Sequence, residues 1–261
     1  MSTAAVSLRQ TAAMSKRSVI ALLRQPALIV PSMVFPLFFA ALGTSSFGRA
    51  VHLPGFPKVD SFLDFSLAGT IVQGVLFGSV QSGSALATDI ENGFFFRLLA
   101  SPTSRLGILV GRLMGAATYG AAQTLFFTII LVPFGLRVKS GVPGAIVMLL
   151  AGGLTAIAVA GFMATMALRT GSSEAVQGVF PLVFIALFFS SAFFPRQTMS
   201  GAYRHIANAN PISYLIEGLR ELCIDGFTAG ACAKALLVPI GIMVVSFALA
   251  LRALSKRVAA A

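Results

Sequence analysis

The sequence predicts an all-α integral membrane protein of about six transmembrane helices, and three observations predict it. Hydrophobic residues make up 57% of the 261 positions and charged residues only 10%, where a water-facing surface needs roughly a quarter charged. The mean hydropathy is +0.90. The few charges also bracket long apolar runs: no Asp, Glu, Lys or Arg lies between Arg24 and Arg49, Asp64 and Asp89, Arg112 and Arg137, Lys139 and Arg169, Glu174 and Arg196, or Lys234 and Arg252. A hydrocarbon core of ~30 Å takes about 20 helical residues to cross, and each gap holds such a segment. The runs are continuous in Leu, Ala, Phe and Gly rather than alternating, which argues against the ~10-residue strands of a β-barrel.

Before the first span, residues 5–25 place Arg9, Lys16, Arg17 and Arg24 on one helical face and Leu8, Val19, Leu22 and Leu23 on a neighbouring one. This fits a helix lying in the membrane interface and equally a plain basic flank. Span one (about 27 to 46) carries Pro31 and Pro36 and is expected to kink. Span two (about 64 to 87) carries Gly69, Gly74, Gly78 and Gly83. Span three (about 106 to 134) opens with Gly107, Gly111 and Gly115, a small-residue face for close helix packing within or between chains. Spans four (about 143 to 168) and five (about 173 to 194) follow, joined by a short loop. Residues 195–230 are apolar but too often interrupted by charge to cross. There Asn210 suits an N-cap, Pro211 the first helical position and Gly226 a stop, giving a short helix better suited to a re-entrant pair. Span six (about 235 to 252) returns to a basic tail.

Six spans place both termini on one side, and the distribution of Lys and Arg favours the cytoplasm for that side. The net charge of +11 is scattered over span ends, where it meets lipid headgroups rather than nucleic acid. Cys223 and Cys232 fall near the outer surface, either bridged or free. In the outer segment Glu217 and Arg220 are spaced i, i+3 and could pair at membrane depth.

The loop between spans two and three, residues 89–104, combines Asp89, Glu91, Gly93 and Arg97 with Phe94, Phe95 and Phe96. A helix beginning near Glu91 would end before Pro102, anchored by its aromatics with a polar face toward a soluble partner. The run Glu91, Gly93, Arg97, Leu98, Leu99, Ser101, Pro102 and Arg105 resembles the signature loop of ABC-2 type permeases, above all the daunorubicin-resistance branch that exports drugs and lipids. A second match, Ser191-Ala-Phe-Phe-Pro195 followed by Asn210-Pro-Ile-Ser-Tyr214 and Gly218-Leu-Arg220, resembles that family's outer re-entrant segment. The resemblance covers the whole chain as a single transmembrane domain, 1–261, in a multi-pass protein of the bacterial plasma membrane. It implies that the 89–104 loop, with Asp89, Glu91, Gly93, Arg97, Pro102 and Arg105, couples to a separate ABC ATPase. It also implies a second permease chain, identical or related. ATP and Mg would sit on the ATPase, with no cofactor on this chain and lipid around it. Pro195, Asn210, Pro211, Tyr214, Glu217 and Arg220 would form the outer motif.

The residues agree with that division of labour. No G-x-x-x-x-G-K-[ST] phosphate loop occurs, and none of the five lysines follows a glycine. His52 and His205 both fall in predicted outer segments, and no G-x-S-x-G elbow is present, which argues against an intramembrane enzyme. The spans carry few ionisable groups at depth, which suits a lipophilic or amphipathic cargo. The alternative, a nucleotide-independent secondary transporter or channel, would place ionisable relays or broken charged helices at the midplane.

Overall fold

The computed structural model describes residues 12–17, 19, 20, 26–52, 54, 56–100 and 104–259. Backbone in lipid must satisfy its own N–H and C=O groups, and the chain does this with helices: α1 Pro26–Phe47, α2 Phe62–Glu91, α3 Phe94–Leu99, α4 Arg105–Leu131, α5 Gly141–Thr170, α6 Ser173–Gln177, α7 Phe180–Phe188, α8 Gly201–Ala209, α9 Pro211–Ile224 and α10 Ala229–Ala259. Among the described residues, five stretches are long and apolar enough to cross a membrane: Ile29–His52, Phe62–Glu91, Arg105–Phe134, Gly141–Thr170 and Ala229–Ala259. They take the places predicted for spans one to four and six. Residues 12–17 and 19–20 of the predicted interfacial helix are helical, and the rest of that segment lies outside the described residues.

The fifth predicted span is broken. The apolar stretch Ser173–Phe188 divides into α6 and α7 at Gly178 and Val179. Pro181 has no N–H for the carbonyl one turn back, so the helix restarts there with proline in its first turn. Beyond Phe188 the chain turns instead of continuing to residue 194. Progress resumes in α9. Its N-terminus is tied to the end of α7, where the Asn210 amide donates to Ala186 O at 2.7 Å and Phe189 O at 2.9 Å. The far end of α9 accepts from the α4–α5 connection: Lys139 N–H to Cys223 O at 2.9 Å and Ser140 N–H to Leu222 O at 3.2 Å. Helices α7 and α9 are thus joined end to start, and α9 runs from there to the α4–α5 connection. Segments from both termini lie at one end of the bundle, where Arg257 donates to Leu168 O at 2.9 Å and Arg17 approaches Asp89.

Within the outer segment the predicted caps form. The Asn210 side chain accepts from Ile212 N–H at 2.9 Å, Pro211 opens α9, and Gly226 adopts φ +97° just beyond its end. At 14 residues α9 is ~21 Å long, too short to cross.

Helix α2 is the axis of the fold. Its most apolar 18-residue window is entirely buried within the chain, between α1, α4, α5, α6 and α9. Hydrophobicity alone does not associate helices in lipid, so the enclosure depends on close approach through small residues. A Cβ at Gly69 would lie 2.8 Å from Ala192 O, and Cβ atoms at Gly74 and Gly83 would overlap Phe127 and Met163. Helices α4 and α5 cross in the same way, with a Gly120 Cβ 2.6 Å from the Ala156 Cβ and 2.8 Å from Gly152 O. The predicted face of Gly107, Gly111 and Gly115 is likewise buried within the chain, with Ser15 donating to Gly111 O at 3.0 Å.

Leucine at Gly120 has no room, and overpacking of this kind costs ~1–3 kcal/mol or more. Gly120→Leu is expected to lower the thermal midpoint of the purified protein and most of its monodisperse yield. Gly241→Leu, where nothing lies within 4 Å, is expected to leave both unchanged.

Candidate functional site

The loop that joins α2 to α4 is built from the end of a span. Helix α2 continues through Asp89 to Glu91, past the point where a separate helix was expected to begin. Gly93 stops it with φ +70°, a left-handed conformation that glycine adopts without a Cβ penalty. The loop helix is therefore α3, Phe94–Leu99. Pro102 lies outside the described residues. Ser104 caps α4 by accepting from Gly107 N–H at 3.0 Å, and Arg105 is exposed at its first position.

The acidic residues of this loop do not pair with Arg97. Asp89 forms an ion pair and hydrogen bond with Arg112, two turns into α4, and Arg17 lies 3.8 Å from the same carboxylate oxygen. Glu91 accepts from Ser173 twice, from N–H at 2.6 Å and from the hydroxyl at about 3 Å, and so ties the loop to the start of α6. Arg17 stacks over the Phe94 ring at 4.1 Å, Arg97 lies over the same ring at 5.6 Å, and Arg257 lies over Phe96 at 5.8 Å. Phe95 is fully buried beneath. The N-terminal segment and the end of α10 thus meet on the rings of α3, and the start of α6 holds the end of α2 beside it. Arg97, Phe96 and Glu91 keep exposed surface.

Sequence reasoning missed Arg112, Ser173 and Arg257 as partners of this loop. A signal for Arg112 was present. A guanidinium two turns inside a predicted span needs a counter-charge, and Asp89 closes the neighbouring span at the same depth.

At the other end the outer motif assembles differently from the predicted Glu217–Arg220 pair. Glu217 accepts from Arg196, at 2.6 Å from Nε to Oε1 and through a second bond from Nη2. Arg196 also covers the Tyr214 ring at 4.4 Å. Burial works against the Arg196 cation, but Glu217 and Tyr214 together more than offset it and hold its pKa above the ordinary value. Arg220 is 5% exposed. It donates to Phe65 O at 3.1 Å and Ser191 O at 2.6 Å and lies 3.7 Å over the Phe65 ring. An i, i+3 pair was available, but Arg220 faces α2 while Glu217 faces the Pro195 turn. Ser191 donates twice to Ser213, from N–H to the hydroxyl at 3.2 Å and from its hydroxyl to Ser213 O at 3.1 Å, which joins the two halves of the motif. Tyr214 donates to Asn208 O at 2.9 Å. Cys223 and Cys232 are free thiols, the former buried. Among the described residues no group of three or more His, Cys, Asp or Glu side chains is placed to hold a metal.

A family model described as the ABC-2 type transporter matches residues 9–224, which include both motifs. The chain is 30% identical over 213 residues to the daunorubicin resistance ABC transporter permease protein DrrB1 of Streptomyces coeruleorubidus, across 79% of this chain and 72% of that one. It is 24% identical over 216 residues to the probable doxorubicin resistance ABC transporter permease protein DrrC of Mycobacterium tuberculosis (78% and 77%). A putative transport permease, ycf38 of Porphyra purpurea, is 28% identical over 221 residues (82% and 74%).

The chain belongs to the ABC-2 type transporter family. It is a multi-pass membrane subunit of an ABC transporter, and membership implies an ABC ATPase as partner. The matched range ends at Ile224, the last residue of α9. The family pattern therefore covers the terminal-end loop and the outer motif, and α10 completes the bundle beyond it.

Removing one member of the Asp89–Arg112 pair leaves a cation without its partner. A fully buried pair loses ~3–5 kcal/mol in this way. With side chains 23% and 15% exposed, water screens part of that loss and about 2–3 kcal/mol is expected. Asp89→Asn should therefore unfold at lower temperature, and Asp89→Asn with Arg112→Gln should recover most of the difference. A double variant no more stable than Asp89→Asn alone would assign the loss to packing instead.

Proposed function

We propose that the chain is the transmembrane permease of an ATP-binding-cassette exporter, with both termini in the cytoplasm, moving a lipophilic or amphipathic molecule outward. The observation that carries this reading is the mounting of α3. Arg17 and Arg257 stack on its rings, and the Glu91–Ser173 bonds tie the end of α2 just before it to α6, while its charged and aromatic edge stays exposed. A short helix held in this way passes a push on its exposed edge directly to α2, α4, α6 and α10. In this reading segment 89–104 seats in a groove on a separate ATPase that binds ATP and Mg. Closure of two ATPase subunits would press two such loops together, so a second permease chain, identical or related, completes the transporter. Helix α1 suits that contact or lipid, since only 17% of its spanning window is buried within the chain.

The orientation is supported by the cations gathered at the terminal end, among them Lys16, Arg17, Arg97, Arg105, Arg169, Lys256 and Arg257. A bacterial plasma membrane agrees with the bacterial relatives. A drug-like or lipid cargo agrees with the resistance to daunorubicin and doxorubicin in two relatives' names and with spans poor in fixed charge. Nucleic acid has no place in this reading.

The test is nucleotide-driven transport in vesicles holding the chain with its co-expressed ATPase. Glu91→Lys should reduce transport at least tenfold while the chain stays in the membrane. Ser173→Ala removes the hydroxyl bonds to Glu91 but keeps the carboxylate, and should transport nearly normally. Unchanged transport in Glu91→Lys would remove the loop from coupling, and equal loss in both variants would make Glu91 an internal brace. Transport by the chain alone, without nucleotide, would replace the permease reading with a secondary transporter.

A further inference from the structure

A cavity of about 350 Å³ lies inside this single chain, between α2, α4 and the N-terminal segment. Arg17, Asp89 and Arg112 line it toward the terminal end, and Gly78 and Gln123 line it deeper in the bundle. Gly78 precedes Asp89 by 11 residues, or ~16 Å along a helix, about half of a ~30 Å hydrocarbon core. Polar surface at that depth is expensive unless it serves a ligand or a water path. The terminal end of the cavity carries all of its fixed charge. The deep wall has no Asp, Glu, Lys, Arg or His, and is made polar by Ser79, Gln81, Ser82, Tyr119 and Gln123.

Gln123 is the decisive residue. Its side chain is 0% exposed. Its amide donates to Ser32 at 3.2 Å, and the Ser32 hydroxyl is 3.0 Å from that of Tyr119. Its Oε1 has no hydrogen-bond partner, and a buried unpaired acceptor costs ~1–3 kcal/mol. A ligand donor at this point would recover that cost. An anionic ligand would find no counter-ion at depth, and a cationic one would have to pass two arginines. The volume lies in the ~300–1,000 Å³ range of small-molecule sites.

We infer that this cavity binds the uncharged, hydroxyl-bearing head of an amphiphile, entered past the Asp89–Arg112 pair, with Gln123 Oε1 accepting from a ligand hydroxyl. The site belongs to one chain and would fill with or without the ATPase, so its failure would leave the coupling assignment standing.

The chain contains no tryptophan, so Ala85→Trp, at an exposed position on the cavity rim, gives a fluorescence reporter without background. The full chain in phosphatidylcholine vesicles would be titrated with octyl glucoside, octyltrimethylammonium and octyl sulfate, each below the concentration that dissolves the vesicles. A saturable change is expected with the glucoside alone, and Gln123→Leu should weaken it at least tenfold. Ser82→Leu, which fills the same space from a half-buried position, should weaken it as well and decides the matter if Gln123→Leu fails to fold. Equal responses to all three amphiphiles, no saturable response to the glucoside, or an unchanged glucoside response in the foldable variants would overturn the site and leave a crevice that holds water only.

Discussion

Helix α2 has neighbours on every side, and in lipid that arrangement has to be won by contact rather than by the exclusion of water. Glycines along α2, with Gly120 and Gly152 on the adjacent crossing, bring backbones close enough for dispersion and carbonyl contacts to replace the missing hydrophobic drive. Every functional feature hangs on that axis. Its far end supplies the Phe65 carbonyl and ring that hold Arg220. Its middle supplies Gly78 and Ser79 to the cavity wall. Its near end runs without a break into Asp89 and Glu91, so a displacement of the loop is a displacement of the central helix.

The two ends of the axis are stabilised by different electrostatics. At the near end the charges are formal and partly wet: Asp89 lies between Arg112 and Arg17, and Glu91 caps α6. Such contacts can be remade when a partner docks, because water compensates while they are open. At the far end Arg220 has given up water and receives backbone carbonyls and an aromatic face in return. Releasing it would strand a buried cation, which is costly. The far end is thus built to stay assembled, and the near end to accept load.

Much of this was legible in residue order. The charge gaps marked the spanning helices, the Asn-Pro-Ile-Ser-Tyr run marked the start of α9 with its cap, and the two motifs pointed to the family to which the chain belongs. The break at Gly178 was legible in principle, since Pro181 stood in the predicted fifth span. A charge gap does not register it, because hydropathy measures what lipid will accept rather than what a helix can continue through. The Glu217–Arg220 pair was misread for a related reason. Helical spacing says which residues are neighbours on one helix, and the better partners, Arg196 for Glu217 and two carbonyls for Arg220, lay on other elements.

By itself the sequence determined the solvent of this protein and the local form of its segments, because transfer cost, helix period and cap chemistry are properties of residues close together in the chain. Only the tertiary structure decided which helix is central, that the start of α9 is tied to the end of α7, that Asp89 answers Arg112 and Glu91 answers Ser173, and that polar side chains from α2 and α4 meet around one cavity. Those outcomes depend on helix rotation and close approach between segments far apart in sequence, 91 residues between Ser32 and Gln123 and 155 between Phe65 and Arg220. Pair energies across such distances are set by the assembled packing and leave no periodic trace in a single sequence.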